Sequence, residues 1–355
     1  MNTRAIAQMS AHHGLITRRQ AVEAGMSPDQ IDRLVRRGKW TVVRKGVYAE
    51  TAYVESLGSV RDQRLLRDRA ASMRIASPHI LSHHSSAYPL DLDVLHERPD
   101  ARTHVTRPGI VGSHQRHGVV HHRAPYDAEQ VAERDGLRVF GPARTACDIS
   151  RDQGYLAGRV AAESAMRSGT SKAELDSIAA GMKGWPHATV VRDVNASASS
   201  KTDSVGETLS AELVISLGFG VPSLQFGLTA DGRTAWCDLR LGRHLFEFDG
   251  RVKYQRVDEG GFASTSPDEV VWFEKRRQDW ICGFKTGMSR LDWDEAFTIV
   301  TGGPALERVQ ARLTREYLDT CQRFGTDISD LAAYLPRGER PRPRPRPRSL
   351  PRYAA

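Results

Sequence analysis

Cysteine is scarce and badly placed for pairing. Cys147, Cys237, Cys282 and Cys321 lie far apart and form no C-x-x-C. That excludes a disulfide scaffold and a cysteine-based zinc site, and it fits a reducing compartment. No apolar run approaches the ~18 residues that a membrane span requires. The opening residues, Met1-Asn-Thr-Arg4, lead into no apolar signal core, so the expected location is cytoplasmic and no membrane partner is expected. Aromatic residues make up 7% and form no stacking platform for single-stranded RNA. What is present suffices for buried cores. The chain has 355 residues, 39% hydrophobic and 26% charged, enough for two or three domains of roughly 100–200 residues each.

The net charge of +8 is unevenly spread. Residues 1–50 carry +5, residues 336–355 carry +6, and the rest is mildly acidic at −3. A basic module at one end is an electrostatic footprint for nucleic acid. From Arg340 to Arg348 arginine alternates with proline. Such a stretch lacks backbone donors and core residues, so the tail over 336–355 is expected to be disordered. A small polar run, Asn195-Ala-Ser-Ala-Ser-Ser-Lys201, reads as a linker.

Residues 3–50 predict three helices and a hairpin. Thr17-Arg-Arg-Gln20 and Ser27-Pro-Asp-Gln30 are capping boxes, the second with proline at the first helical position. Gly25 and Gly38 are the expected helix stops. The helix from Pro28 to Arg37 has an apolar stripe of Ile31, Leu34 and Val35, with Gln30, Arg33, Arg36 and Arg37 off it. This is the pattern of a major-groove recognition helix. Lys39 to Tyr48 then reads as two strands around Arg44-Lys45-Gly46, a basic wing. Candidate DNA contacts are Arg18, Arg19, Gln30, Arg33, Arg36, Arg37, Arg44 and Lys45.

The runs Gly14-Leu-Ile-Thr-Arg-Arg-Gln-Ala-Val-Glu-Ala-Gly25, Ile31-Asp-Arg-Leu-Val-Arg-Arg-Gly38 and Arg44-Lys-Gly-Val-Tyr48 resemble the N-terminal domain of the abortive-infection AbiEi-type antitoxins. The resemblance implies a winged helix that binds operator DNA, a cognate toxin as partner, and a setting in phage defence. Leu81-Ser-His-His-Ser-Ser-Ala87 and Gly141-Pro-Ala-Arg-Thr-Ala-Cys-Asp148 resemble two further signatures of these proteins, in the domain after the winged helix. Scaffolding is the expected role of that domain. Arg144 and Asp148, four apart, are placed to pair on a helix. Nine of the thirteen histidines fall between His79 and His122, but no recognisable ligand spacing accompanies them, so metal binding is not expected there.

The segment 203–297 carries the candidate chemistry. Ser204 to Leu217 reads as a helix bearing Glu207. Because Ser204-x-x-Glu207 is also a capping box, Glu207 is equally a cap and a ligand candidate. Thr234–Leu241 and His244–Asp249 read as strands around Gly242-Arg243. A two-residue loop there would oppose Asp238 to Glu247, with Asp249 on the same face by the strand period of two. Opposed carboxylates repel unless something offsets them, and a hard divalent cation such as Mg²⁺ is the obvious candidate.

This arrangement, with Phe246-Glu-Phe-Asp-Gly-Arg-Val-Lys-Tyr254, Phe273-Glu-Lys-Arg-Arg-Gln-Asp279 and Leu291-Asp-Trp-Asp294, resembles the PD-(D/E)XK nucleases, closest to the very-short-patch-repair branch. The resemblance implies Glu207, Asp238 and Glu247 as Mg²⁺ ligands in phosphodiester hydrolysis, assisted by Asp249. Those nucleases usually carry lysine two residues after the glutamate, where this chain has Asp249. Lys253 is the candidate replacement, with Lys275 and Arg276 as alternatives.

The expected class is thus α+β and multidomain. It comprises a winged helix-turn-helix (1–50), a middle α/β region (51–194), a linker (195–201), a PD-(D/E)XK-like α/β domain (202–325) and the basic tail. The leading expectation is a DNA-binding, Mg²⁺-dependent phosphodiesterase. The alternative is a noncatalytic regulator or antitoxin with a degenerate nuclease domain.

Overall fold

The computed structural model describes residues 2–96, 102–250 and 267–341, with side chains throughout except at 267–271. Lys253 and the tail beyond residue 341 lie outside the described residues. The chain divides into two units, with the division between Ala198 and Ser199. No helix among the described residues is long and apolar enough to cross a membrane.

The first unit opens with α1 (Thr3–Ala11), β1 (Leu15–Thr17), α2 (Arg18–Glu23), α3 (Pro28–Arg36), β2 (Trp40–Arg44) and β3 (Val47–Glu50). Both capping boxes form: Thr17 caps α2 with Gln20, and Ser27 caps α3 with Gln30. Gly25 and Gly38 take the left-handed backbone that ends each helix (φ +93° and +65°). The strands order as β1-β3-β2, and β1 was not anticipated from the sequence. Ala5, Met9, Ile16, Ala21 and Ile31 close a core under the stacked Trp40 and Tyr48 rings. On the other side Leu15, Val47 and Ala49 pack with Leu57, Leu66 and Ala70. These come from the segment holding α4 (Thr51–Ser56) and α5 (Val60–Ser72), so the chain continues past Glu50 without a structural break.

Next come β4 (Ile80–Leu81), α6 (His84–Ala87), β5 (Thr103–Thr106), β6 (His114–Arg116), β7 (Val119–His122), β8 (Val131–Arg134) and β9 (Leu137–Phe140). They form a mixed sheet in the order β6-β7-β5-β4-β9-β8, with β5–β7 and β4–β9 parallel. The helices α7 (Pro142–Gln153), α8 (Tyr155–Arg167), α9 (Lys172–Gly181) and α10 (Ala188–Ser197) follow. The first three residues of the expected linker extend α10 instead, because Asn195 is buried with Val191 and Val194. Arg64–Asp68, Arg144–Asp148 and Arg159–Glu163 form ion pairs four residues apart, all six side chains buried.

The second unit runs α11 (Val205–Ile215), β10 (Ser223–Ala230), β11 (Arg233–Leu241), β12 (His244–Phe248), α12 (Pro267–Cys282), β13 (Gly287–Leu291), α13 (Trp293–Thr301) and α14 (Gly303–Phe324). Its sheet is β10-β11-β12-β13, antiparallel until β13 joins β12 in parallel. The β11–β12 pairs are Leu241↔His244, Arg240↔Leu245 and Leu239↔Phe246, the register expected from a Gly242-Arg243 loop. Leu239, Leu241 and Phe246 pack with Ala211, Val214 and Leu313. The fold continues past residue 325: Leu331 joins the cluster around Cys237, Leu245 and Ile281, and Pro336 sits where a side chain on Gly227 would be.

His244 is buried in this unit, its Nδ1 2.6 Å from Thr320 Oγ1 and its Nε2 2.8 Å from Ser289 Oγ. Burial lowers its pKa to about 4 against the weaker pull of Glu316 and Asp319. The native ring is therefore neutral where the unfolded one begins to take a proton, below about pH 6.5. Its contribution to stability is complete above that pH and is lost as pH falls to about 4. The loss approaches about 3 kcal/mol, at roughly 1.4 kcal/mol per pH unit. Urea unfolding of wild type and His244→Asn from pH 7.5 to 4.5 isolates this slope; parallel curves for the two proteins would refute it.

Candidate nucleic-acid interface and carboxylate pocket

A recognition helix needs basic groups that are free to reach DNA. Arg33, Arg36 and Arg37 are exposed on the last turns of α3, and their side chains make no hydrogen bond or ion pair among the described residues. Lys45 is exposed at the tip of the wing, and Arg19 is exposed beside Glu23 at 3.6 Å. Three other candidates are committed internally. Arg18 donates to both carboxylate oxygens of Asp32 (2.7 and 3.0 Å) and to the Tyr48 hydroxyl (3.2 Å), tying α2 to α3. Gln30 accepts the Ser27 N–H at 2.8 Å as the second half of the capping box. Arg44 donates to the His117 carbonyl and is half-buried. The spacing that marked Gln30 for DNA is the spacing a cap requires.

In the second unit, Glu207, Asp238, Glu247 and Asp249 come to the same end of the sheet but take different partners. Glu207 sits in the first turn of α11, where its carboxylate accepts the Asp203 N–H (2.8 Å) and the Gln225 amide (3.1 Å). Burial, and then the nearby Asp238 charge, push its pKa up to about 7. Asp238 accepts the Phe248 N–H at 2.9 Å. Glu247 is gripped by Arg277 of α12 through two hydrogen bonds, 2.7 and 3.2 Å. Arg277 also donates to the Trp236 carbonyl at 2.5 Å. Asp249 lies 3.6 Å from Arg290. A third guanidinium enters from the far end of the unit: Arg340 lies 3.0 Å from Asp203 and 3.9 Å from Asp238, and donates to Gln225. Asp238, Glu247, Asp249, Arg277, Arg290 and Arg340 line a cavity of about 310 Å³ with Glu274 and Trp236, and Glu207 is not part of its lining.

The sheet is irregular at this level. Gln225 falls opposite Asp238 in the β10–β11 register, yet it is unpaired and adopts φ +54°, which non-glycine residues seldom do. Cys237 packs with Leu245, whereas Leu239 packs with Phe246. Gly206 sets the approach of α11, since a Cβ there would lie 2.0 Å from the Phe248 ring. Gly206→Ala is expected to destabilise the second unit by about 1–3 kcal/mol through overpacking. Phe248→Leu in the same chain should recover most of that, and thermal melting of the single and double variants decides it. No recovery would place the strain elsewhere.

The described residues hold no ready-made divalent-cation site here. Among the described residues, no three-ligand group with atoms within 4.8 Å of one another includes Glu207, Asp238 or Glu247. The charge of Glu247 is already offset by Arg277 and that of Asp203 by Arg340. The alternatives to Lys253 do not help: Lys275 and Arg276 are exposed, and Arg276 stacks over the exposed Trp272 at 4.7 Å. Arg277, the neighbour that does enter the cavity, stands in the Phe273-Glu-Lys-Arg-Arg-Gln-Asp279 run, but nothing in that run sets it apart from Arg276. The Leu291-Asp-Trp-Asp294 motif is accounted for locally, because Asp292 caps α13 in a capping box with Glu295.

Residues 6–51 match the family model described as transcriptional regulator, AbiEi antitoxin. The matched stretch is the α1–β3 winged helix bearing Arg33, Arg36 and Arg37. A crystal structure of the RV2827C protein from Mycobacterium tuberculosis is similar over 59% of this chain and 79% of that one, at 17% identity and a TM-score of 0.35. No curated protein matches.

Proposed function

We propose that this protein is a DNA-binding transcriptional regulator of the antitoxin type, with a nuclease-like second unit that does not cut. The observation that carries the DNA-binding part is the exposed arginine face of α3 within the stretch matching the AbiEi regulator model. On that face Arg33, Arg36 and Arg37 reach phosphates and base edges of the major groove, and Lys45 on the wing meets the flanking backbone. A cognate toxin is the partner this reading implies.

The two-point grip of Arg277 on Glu247 supports the noncatalytic half. A guanidinium bound through both nitrogens satisfies a carboxylate in geometry and charge, leaving little for a cation to gain. The Mg²⁺-dependent phosphodiesterase expected from the sequence is the competing reading.

The deciding experiment incubates the full chain with supercoiled plasmid in Mg²⁺, Mn²⁺ or EDTA, and measures retardation of the same DNA. Retardation without nicking supports the regulator. Metal-dependent nicking that disappears in Asp238→Ala/Glu247→Ala would overturn the noncatalytic half. Absence of retardation by the folded protein would overturn the whole reading.

A further inference from the structure

The histidines of the first unit, spread along the sequence without ligand spacing, are gathered by the strand order β7-β5-β4. His122 ends β7, and its register partner on the parallel β5 is Thr106. His104 lies two residues before Thr106, so His104 and His122 share a face as a diagonal pair. His83 follows β4, and its ring stacks on His122 at 4.0 Å between centroids, with His104 at 5.1 Å from each. One nitrogen from each of the three lies within 4.8 Å of the other two. A second such group, His84, His104 and Asp152, adjoins it and reaches the surface at Asp152.

A packed core does not account for this cluster well. Aliphatic side chains fill a sheet face without bringing ring nitrogens out of water. His104 Nδ1 and His122 Nε2 are 3.0 Å apart and share one hydrogen, and His83 Nδ1 is oriented by Ser82 Oγ at 3.0 Å. The remaining nitrogens, Nε2 of His83, Nε2 of His104 and Nδ1 of His122, make no hydrogen bond among the described residues. His83 is a non-glycine residue at φ +54° and ψ −135°. Backbone held this way costs energy and gathers at functional sites.

We propose that His83, His104 and His122 form a transition-metal site for an ion that favours imidazole, zinc foremost, with its remaining position open to water, His84 or Asp152. Imidazole nitrogens suit zinc, copper, iron and nickel and exclude the hard cations. A His83 imidazole oriented through its other nitrogen is the usual outer support of such ligands. Bound there, the ion ties β4, β5 and β7 together.

The test titrates the metal-stripped full chain with Co²⁺ at pH 7.5 and then displaces it with Zn²⁺. One Co²⁺ per chain, with the visible absorption of low-coordinate cobalt, is expected. His104→Gln and His122→Gln should each weaken uptake by about 100-fold, at the upper end of the losses seen for supporting residues. Asp238→Asn/Glu247→Gln should leave uptake unchanged. Equal uptake by the histidine variants, or loss only in the carboxylate variant, would overturn the proposal. Should a histidine variant fail to fold, X-ray absorption at the zinc edge of the wild-type protein decides. Three imidazole nitrogens at about 2.0–2.1 Å support the site, and an all-oxygen shell refutes it.

Discussion

Replacing Arg33, Arg36 and Arg37 together with alanine is expected to cut DNA affinity by about 100-fold near physiological salt. An arginine that neutralises a phosphate releases about one counterion, so three arginines account for a change of about 2.7 in the slope of log affinity against log salt. All three are exposed and make no hydrogen bond or ion pair among the described residues, so the variant should melt at the wild-type temperature. Arg18→Ala separates the roles. Its guanidinium is held by Asp32 and Tyr48, so its removal should loosen the α2–α3 junction and alter the salt slope little. Fluorescence anisotropy across a salt series measures both quantities. An unchanged slope in the triple variant would remove α3 as the DNA-contacting element.

Asp148→Ala is expected to destabilise the first unit by about 3–5 kcal/mol, the cost of leaving a buried charge without its partner. Arg144 donates to Asp148 at 3.0 Å and to Gln130 at 2.7 Å, and its guanidinium lies over the Phe140 ring at 4.6 Å. Their side chains are 3% and 2% exposed, so water cannot take over from the carboxylate. Lys172 and Asp176 on α9 have the same spacing, but both are about half exposed, so Asp176→Ala should change stability almost imperceptibly. Replacing both members, as Arg144→Met/Asp148→Leu, should recover part of the loss, because only the less buried Arg151, 3.7 Å from Asp148, then loses a partner. Equal unfolding midpoints for Asp148→Ala and Asp176→Ala would refute this account.

The contrast between these two pairs also shows what a sequence discloses. Spacing alone identified Arg144–Asp148 as a pair, since it depends only on helix geometry, but whether a pair is buried depends on what packs over it. The same division runs through the molecule. Both capping boxes, the glycine stops of α2 and α3, and the β11–β12 register were legible because each is settled within a few residues. Strand β1 was not, because three residues are too few to show a period and its partner β3 is about thirty residues away. In the carboxylate pocket the acids were identified and their neutralising partners were not. Arg277 arrives on a crossover helix and Arg340 from beyond the last long helix, and nothing local tells which carboxylate either one meets. The histidines were set aside for want of ligand spacing, and parallel pairing of β5 with β7 is what assembles them.

The parallel seam between β12 and β13 has a further consequence, one of timing. Antiparallel neighbours such as β11 and β12 can zip up across a tight turn, whereas β13 reaches β12 only after the connection through α12 has been made. Pairings of long sequence separation form late, and domains mature in the order of synthesis. The α1–β3 module, whose two cores are drawn from its first fifty residues and from the segment reaching Ala70, can be complete while the second unit is still being made. The pocket around Glu247 must wait for Arg277, and its Asp238 side must wait for Arg340. On the proposed reading, a newly made chain can therefore meet DNA before its acidic pocket exists.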